Sequence, residues 1–520
     1  MTRYRNPILP GFHPDPSIVR VGDDYYLANS TFQWFPGIKL SRSRDLVHWQ
    51  TVGYALDRLE QLNLRSTDDS MGLWAPTLRF FDGSFYLVVT LVQQFRAGEA
   101  TRMSQQNLLF TAADINGPWS DPVYLHDLGI DPDIFRDTDG RLYIVSQDTK
   151  TGGGPRPERI SIHEYDPVGK GLVGQPDPIW DGTELGITEG PHLYHRHGWY
   201  YLITAEGGTG YGHAVSLCRS RNLAGPYELA PGNPILTMSG CDGETAKSGH
   251  ADLVETQNGE WWMVCLGSRP DGRKRCVLGR ETFLLPVRWT DDGWLCVNEG
   301  RGLEMELPVP DLPECVLPEA ETGNFAGPDW QVVRAWSPEH VRVSKDRLLL
   351  RARPEPLEDI GAANVVGTRI RHKRFSASVT VSFQPEIESE SAGLVCYYDR
   401  FHHIGLFLTG TEGLSLEVRV ADGAPAKTVA RILWTDERDV ELRVQSDEES
   451  RLQFSARPAG DGEFAEVGAC QDGSILSDEC AGVVFTWASF TGAFMCLHAS
   501  GNGSRSDRWA EFSAFVYRSE

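Results

Sequence analysis

GDDYYLANS (residues 22–30), GSFYLVVTL (83–91), GRLYIVSQD (140–148), GWYYLITAE (198–206) and GEWWMVCLG (259–267) repeat one pattern: a glycine, then aromatic and aliphatic residues in alternation. The glycines recur every 57–61 residues, so the first 300 or so residues are five copies of one supersecondary unit. Period-2 alternation behind a glycine turn predicts strands and hairpins. A unit of about 60 residues suits one four-stranded blade, and five such blades close into a β-propeller. Sustained helical periodicity is scarce across the region, which argues against an α/β barrel.

Each glycine follows a short strand-like run: HPDPSIVRV, WAPTLRFF, IDPDIFRD, TEGPHLYHR and GHADLVET. Aligned on the proline (Ala251 in the fifth copy), the residue just before it, or one place earlier, is Asp15, Trp74, Asp131, Glu189 or His250. The first strand of each blade lines the propeller axis, so these five side chains are expected to converge there. Asp-Pro is a common turn opener, and either aspartate alone would read as structural. Recurrence in one slot, with Glu189 joining, reverses that reading.

A net charge of −23 without a basic block argues against nucleic-acid and anionic-membrane partners. The start, MTRYRNPILPGFHPDPS, lacks the apolar core of a secretory signal, and no 18-residue apolar run occurs, so a soluble, cytoplasmic protein is expected. Ten cysteines without a CxxC pair suggest reduced, mostly buried thiols. The proline-rich segment 306–322 reads as an extended linker. Residues 323–520 lose the repeat but keep many short alternating strands, predicting a β-sandwich of jelly-roll, concanavalin-like type. The expected organisation is all-β: a propeller over 1–305, the linker, and the sandwich as an accessory domain reaching the site. A homo-oligomer is expected.

Two carboxyl groups across a pocket are the minimum equipment for cleaving a glycosidic bond, and a third can orient the acid and raise its pKa. Phe32, Trp34, Phe35 and Trp74 supply flat apolar faces suited to a sugar ring. Taken alone, Trp74 would be core, His250 a hydrogen-bonded structural residue and Arg280 a surface cation. Position gives His250 its interest, and Arg280 offers a fork of donors to sugar hydroxyls. The glycine-rich EGGTGYGH at 206–213 is not a nucleotide loop, because a further strand follows it in place of a helix.

The run NPILPGFHPDPSIVRVGDDYYLANSTFQWFPGIKLSRSRDLVHW, with LWAPTLRF, GIDPDIFRDTDGRLYIV, TEGPHLYHRHGWYYLITAEGGTGYGHAVS and LGRETF, resembles the β-xylosidases of glycoside hydrolase family 43. The resemblance implies an exo-acting, inverting glycosidase releasing xylose from β-1,4-xylo-oligosaccharides. Asp15 is then the general base, Asp131 orients the acid and tunes its pKa, Glu189 is the general acid, and Arg280 contacts the glycone. It implies no cofactor for the chemistry, with a calcium or other cation near the axis beside His250, held mainly through water. A loop from the sandwich would close the pocket, with Phe494 of FTGAF placed over the mouth. Asp133 stands where the family more often has a small hydroxyl residue, which alters the charge near Asp131. The alternatives are an α-L-arabinofuranosidase or bifunctional enzyme acting on arabinose-containing oligosaccharides, and a non-catalytic carbohydrate-binding propeller. The Asn-Asp-Pro-Asn and Glu-Cys signatures of fructan-cleaving propellers are missing.

Overall fold

A computed structural model of the protein describes residues 2–97, 100–151, 157–317, 323–362, 364–410, 414–436, 438–481 and 489–520. The repeats are five antiparallel blades whose first strands are Ser17–Val21, Gly72–Phe81, Asp133–Arg136, Glu189–Arg196 and Ala246–Glu255. Each repeated glycine turns the chain from first to second strand with φ between +64° and +89°. At Asp82-Gly83 and His197-Gly198 both turn residues have positive φ, matching the type I′ hairpin whose twist suits its flanking strands. The first strands pack against one another in order, and Ser17–Val21 touches both Gly72–Phe81 and Ala246–Glu255, closing the ring.

The ring is fastened by its N-terminal segment, which runs along the fifth blade. Leu9 N–H donates to the Thr282 carbonyl and His13 N–H to that of Arg280. Arg3–Arg5 pairs with Glu306–Pro308, so the expected linker begins as a strand belonging to the propeller's closure. Residues 318–322 of that segment lie outside the described residues.

Beyond the linker, two sheets form the sandwich. One runs, in spatial order, Lys427–Trp434, Leu414–Asp422, His402–Thr409, Ser391–Asp399, Phe494–Ser500, Val366–Arg369, Gln331–Val333 and Trp34–Phe35. Its last strand comes from the propeller: Phe35 pairs with Val332 and Trp34 with Val333. The other sheet contains Val341–Val343, Arg347–Arg351, Trp509–Ser519, Phe375–Ser382, Val440–Ser446 and Arg451–Pro458. One apolar core crosses the boundary, joining Leu73, Phe85 and Phe110 of the second blade to Val332, Leu394 and Phe512. Buried ion pairs add directional contacts, with Asp69 bridging Arg334 at 2.6 Å and Arg400 at 2.7 Å.

All ten cysteines are free; five are buried, two are exposed, and three are partly covered. Thiols are therefore less uniformly buried than their spacing suggests. No helix among the described residues is long and apolar enough to cross a membrane.

Candidate active site

Asp15, Trp74, Asp131, Glu189 and His250 line one pocket at the mouth of the ring, together with Phe32 and Arg280. The backbone explains how five strands deliver them. Asp15, Asp131 and His250 sit in left-handed conformation at φ +50°, +57° and +45°, which Asp and His tolerate better than most residues. In the fourth blade the equivalent position is Gly190, at φ +53°, and Glu189 precedes it. Pairing slips beside this point in three blades, between Trp74 and Thr77, Glu189 and His192, and Gly249 and Asp252. A bulge of this kind re-aims side chains, here turning the start of each first strand toward the axis. Gly190 is also a packing requirement, since a β-carbon there would lie 2.9 Å from the His250 ring.

The three acids occupy different electrostatic states. Asp15 accepts from Arg280 Nη1 at 2.7 Å and from Ser30 Oγ at 2.6 Å. Burial pushes its pKa up, but the Arg280 guanidinium, His250 and the Ser30 hydroxyl outweigh burial and hold the carboxyl below its usual value. Glu189 is raised from 4.5 to about 7, by burial first and then by the negative charge of Asp15. Asp131 is pushed well above the carboxylate range by burial, then by Glu189 and Asp15. Asp131 Oδ2 accepts the N–H of Gly190 at 3.1 Å, and its own N–H donates to Thr90 Oγ1 at 3.0 Å. It thus grips the backbone immediately beside Glu189. The pocket therefore offers one ionised carboxylate, Asp15, beside a protonated one, Glu189, over the mildly acidic to neutral range.

Aromatic rings wall the pocket, and here one expectation is corrected. Phe494 is fully buried and stacks on Trp34 with centroids 3.8 Å apart, so it belongs to the interdomain core. Phe490, the first phenylalanine of the same FTGAF run, reaches the pocket. Its ring meets Trp74 edge-on at 5.3 Å and lies 6.4 Å from Phe32. Its carbonyl accepts from Arg280 Nη2 at 2.9 Å, and its N–H donates to Ser70 Oγ. The loop comes this close because two glycines meet: a β-carbon on Gly279 would sit 2.8 Å from the Gly492 Cα. The second phenylalanine faces inward because residue 494 has already entered the sandwich strand Phe494–Ser500.

Below the acids, the residues just after the aligned prolines form a second ring: Ser17, Thr77, Asp133, His192 and Asp252. Arg79 crosses its centre. It donates from Nη1 to Asp252 Oδ2 at 2.8 Å and from Nη2 to Asp133 Oδ2 at 3.1 Å, and its Nη2 lies 3.0 Å from His192 Nδ1. Ser17 Oγ and Tyr194 OH also donate to Asp252. The Asp133 charge noted in the sequence is therefore matched by a guanidinium.

These residues do not fit a cation site at His250. The imidazole Nδ1 stands 4.0 Å from Asp15 Oδ1, that Asp15 oxygen is already paired with Arg280, and the axial carboxylates beneath are occupied by Arg79. Among the described residues, the one trio of His, Cys, Asp or Glu side chains with ligand atoms within 4.8 Å of one another is Cys276, Asp478 and Glu479, none of which lines this pocket. There the Lys247 ammonium already bridges both carboxylates at 2.6 Å.

Sequence reasoning passed over several pocket residues. Thr209 and His213 come from the glycine-rich stretch dismissed as a nucleotide loop, and they line the pocket without any phosphate-binding geometry. Ser30, which bonds Asp15, ends the first repeat motif, and its position opposite the Asp-Pro turn was a usable signal.

The sequence profile of glycosyl hydrolases family 43 matches residues 4–295, and that of the beta xylosidase C-terminal concanavalin A-like domain matches residues 322–518. The chain is 38% identical to a xylosidase/arabinosidase from Humicola insolens, covering 100% of this chain and 98% of that protein. It is 35% identical to a non-reducing end alpha-L-arabinofuranosidase from Bacteroides ovatus, over 99% of this chain and 94% of that one. The crystal structure of a xylan beta-1,4-xylosidase from Bacillus halodurans superposes with a TM-score of 0.92 at 38% identity, covering 99% and 100% of the two chains.

Proposed function

The chain belongs to glycosyl hydrolases family 43, and on that premise we propose that it removes terminal xylose from β-1,4-xylo-oligosaccharides with inversion at the anomeric carbon. The observation that carries the reading is the split ionisation of the two carboxyl groups facing one pocket: Asp15 is held ionised by Arg280, and Glu189 is held protonated to about pH 7. Asp15 takes a proton from the attacking water while Glu189 delivers one to the departing glycosidic oxygen. Asp131 positions Glu189 through the Gly190 N–H, while burial and the Asp15 charge keep the Glu189 proton in place.

Phe32, Trp74 and Phe490 give the innermost sugar three apolar walls, and Arg280 fixes the base and the Phe490 carbonyl together. A wall supplied by the sandwich loop suits a pocket that admits a chain end, which supports release of one sugar at a time. The second reading is α-L-arabinofuranosidase activity at the same site, favoured by the activities named for the Humicola and Bacteroides relatives. Hydrolysis of p-nitrophenyl β-xyloside followed by ¹H NMR tests the proposal: α-xylose must appear first. Initial β-xylose would refute inversion, and turnover of p-nitrophenyl α-arabinofuranoside alone would favour the second reading.

A further inference from the structure

The axial ring beneath the pocket collects two fully buried carboxylates, Asp133 and Asp252, from the third and fifth blades. Two like charges in a low-dielectric interior need a counter-charge, because an unpaired buried carboxylate is expensive. In a propeller the symmetric way to supply it is a cation on the axis, touched by every blade. This chain supplies it from its second blade. The Arg79 guanidinium is itself largely covered and forks between the two carboxylates, with His192 as a third neighbour. Planar, permanently charged and five-donor, it satisfies several acceptors at once where a point charge would need a full oxygen shell.

The remaining acceptors around it are committed. Asp252 Oδ2 takes bonds from Arg79, Ser17 Oγ and the Ile18 N–H, and Oδ1 takes bonds from Tyr194 OH and the Leu253 N–H. What Arg79 leaves over is one oxygen of Asp133 and one nitrogen of His192. Two such atoms are fewer than the six to eight oxygen ligands calcium takes.

We propose that Arg79 is the built-in axial cation of this enzyme: its guanidinium occupies the place of a bound metal ion, ties Asp133, Asp252 and His192 into one floor, and makes the fold and the pocket independent of divalent cations. Arg79 is a positioning residue, since it touches none of the three acids of the pocket. The proposal does not rest on which sugar is cleaved, and it is read without glycosidase activity.

The test uses the full-length protein after exhaustive chelation. Isothermal titration with CaCl2 and with MnCl2 should show no site in the wild type, and its thermal midpoint should be the same with chelator or with excess calcium. Arg79→Ser leaves two buried carboxylates without their partner; its midpoint should fall and then climb with the logarithm of calcium concentration, with one new binding equivalent. The charge-free Arg79→Ser/Asp133→Ser/Asp252→Ser variant should regain much of the lost midpoint and bind no metal. If Arg79→Ser does not fold alone, its refolding yield with calcium is the readout, and recovery supports the proposal. Calcium binding at the axis in the wild type would overturn it. So would an Arg79→Ser variant that gains neither a metal site nor calcium-dependent stability or refolding.

Discussion

Replacing Arg280 with methionine removes the charge that keeps Asp15 ionised while filling most of the same space. The Arg280 Nη1 to Asp15 Oδ1 bond is 2.7 Å long, and both side chains are buried. A hydrogen bond to a charged group is worth about 1.5–3 kcal/mol. At ~1.4 kcal/mol per tenfold in proton affinity, its loss should raise the Asp15 pKa by ~1–2 pH units. Arg280 also pulls Glu189 down against burial and the charge of Asp15. Both limbs of the pH profile of kcat/KM on p-nitrophenyl β-xyloside should therefore move to higher pH, the acid limb by ~1–2 units. The maximum should fall by roughly 10²-fold, the scale of ~2.7 kcal/mol of transition-state stabilisation. Arg280→Lys keeps a cation beside Asp15, so its acid limb should stay near the wild-type position while the fork to the Phe490 carbonyl is lost. The stability sign follows. Asp15 in the wild type lies below its unfolded value of 3.8, so its contribution is present above that pH and is lost as pH falls through the folded pKa. In Arg280→Met that contribution disappears. An unmoved acid limb with only KM raised would refute the reasoning, because Asp15 would then owe its ionisation to something other than Arg280.

Two further perturbations separate walls from core and backbone from side chain. Phe490→Ala should raise KM for xylobiose with little loss of thermal midpoint, whereas Phe494→Ala should cost ~3–5 kcal/mol of stability by opening a cavity against Trp34; equal KM effects in the two would sink the distinction. Gly190→Ala should cut kcat sharply while the protein stays folded, because the new methyl meets the His250 ring at 2.9 Å and strains a φ of +53°; wild-type turnover, with folding checked by circular dichroism, would show that the backbone there is not what sets Glu189.

The propeller and its acids were legible because both repeat. Gly22, Gly83, Gly140, Gly198 and Gly259 each open a turn requiring positive φ, and a requirement met five times leaves a period. The slot before the aligned proline was legible for the same reason, although the structure refines it. A left-handed residue fills that slot in four blades, at Asp15, Asp131, Gly190 and His250, and Glu189 and Trp74 sit one place before it. What did not repeat stayed hidden. In FTGAF the two phenylalanines are alike in composition, and only the docking of Thr491 and Gly492 against Gly279 decides that Phe490 faces the sugar and Phe494 the core. Arg79 looks like an outward strand residue until Asp133 and Asp252, 54 and 173 residues away, arrive at the same axis. The activities named for relatives agree with the resemblance seen in the motifs.

The short strand Trp34–Phe35 has a meaning for how this molecule can be taken apart. Its partner, Gln331–Val333, lies roughly 300 residues downstream, a pairing of the kind that forms late because so much chain must first be brought together. The aromatic step that carries Phe32 into the pocket thus leans on a strand supplied from beyond the linker. Melting should be a single event shared by both halves, and a catalytic portion expressed without its companion would lack the seam that sets its own first blade. In a modular family this chain is a poor donor of parts: exchanging either half for that of a relative requires the exchange of two residues near position 34 as well.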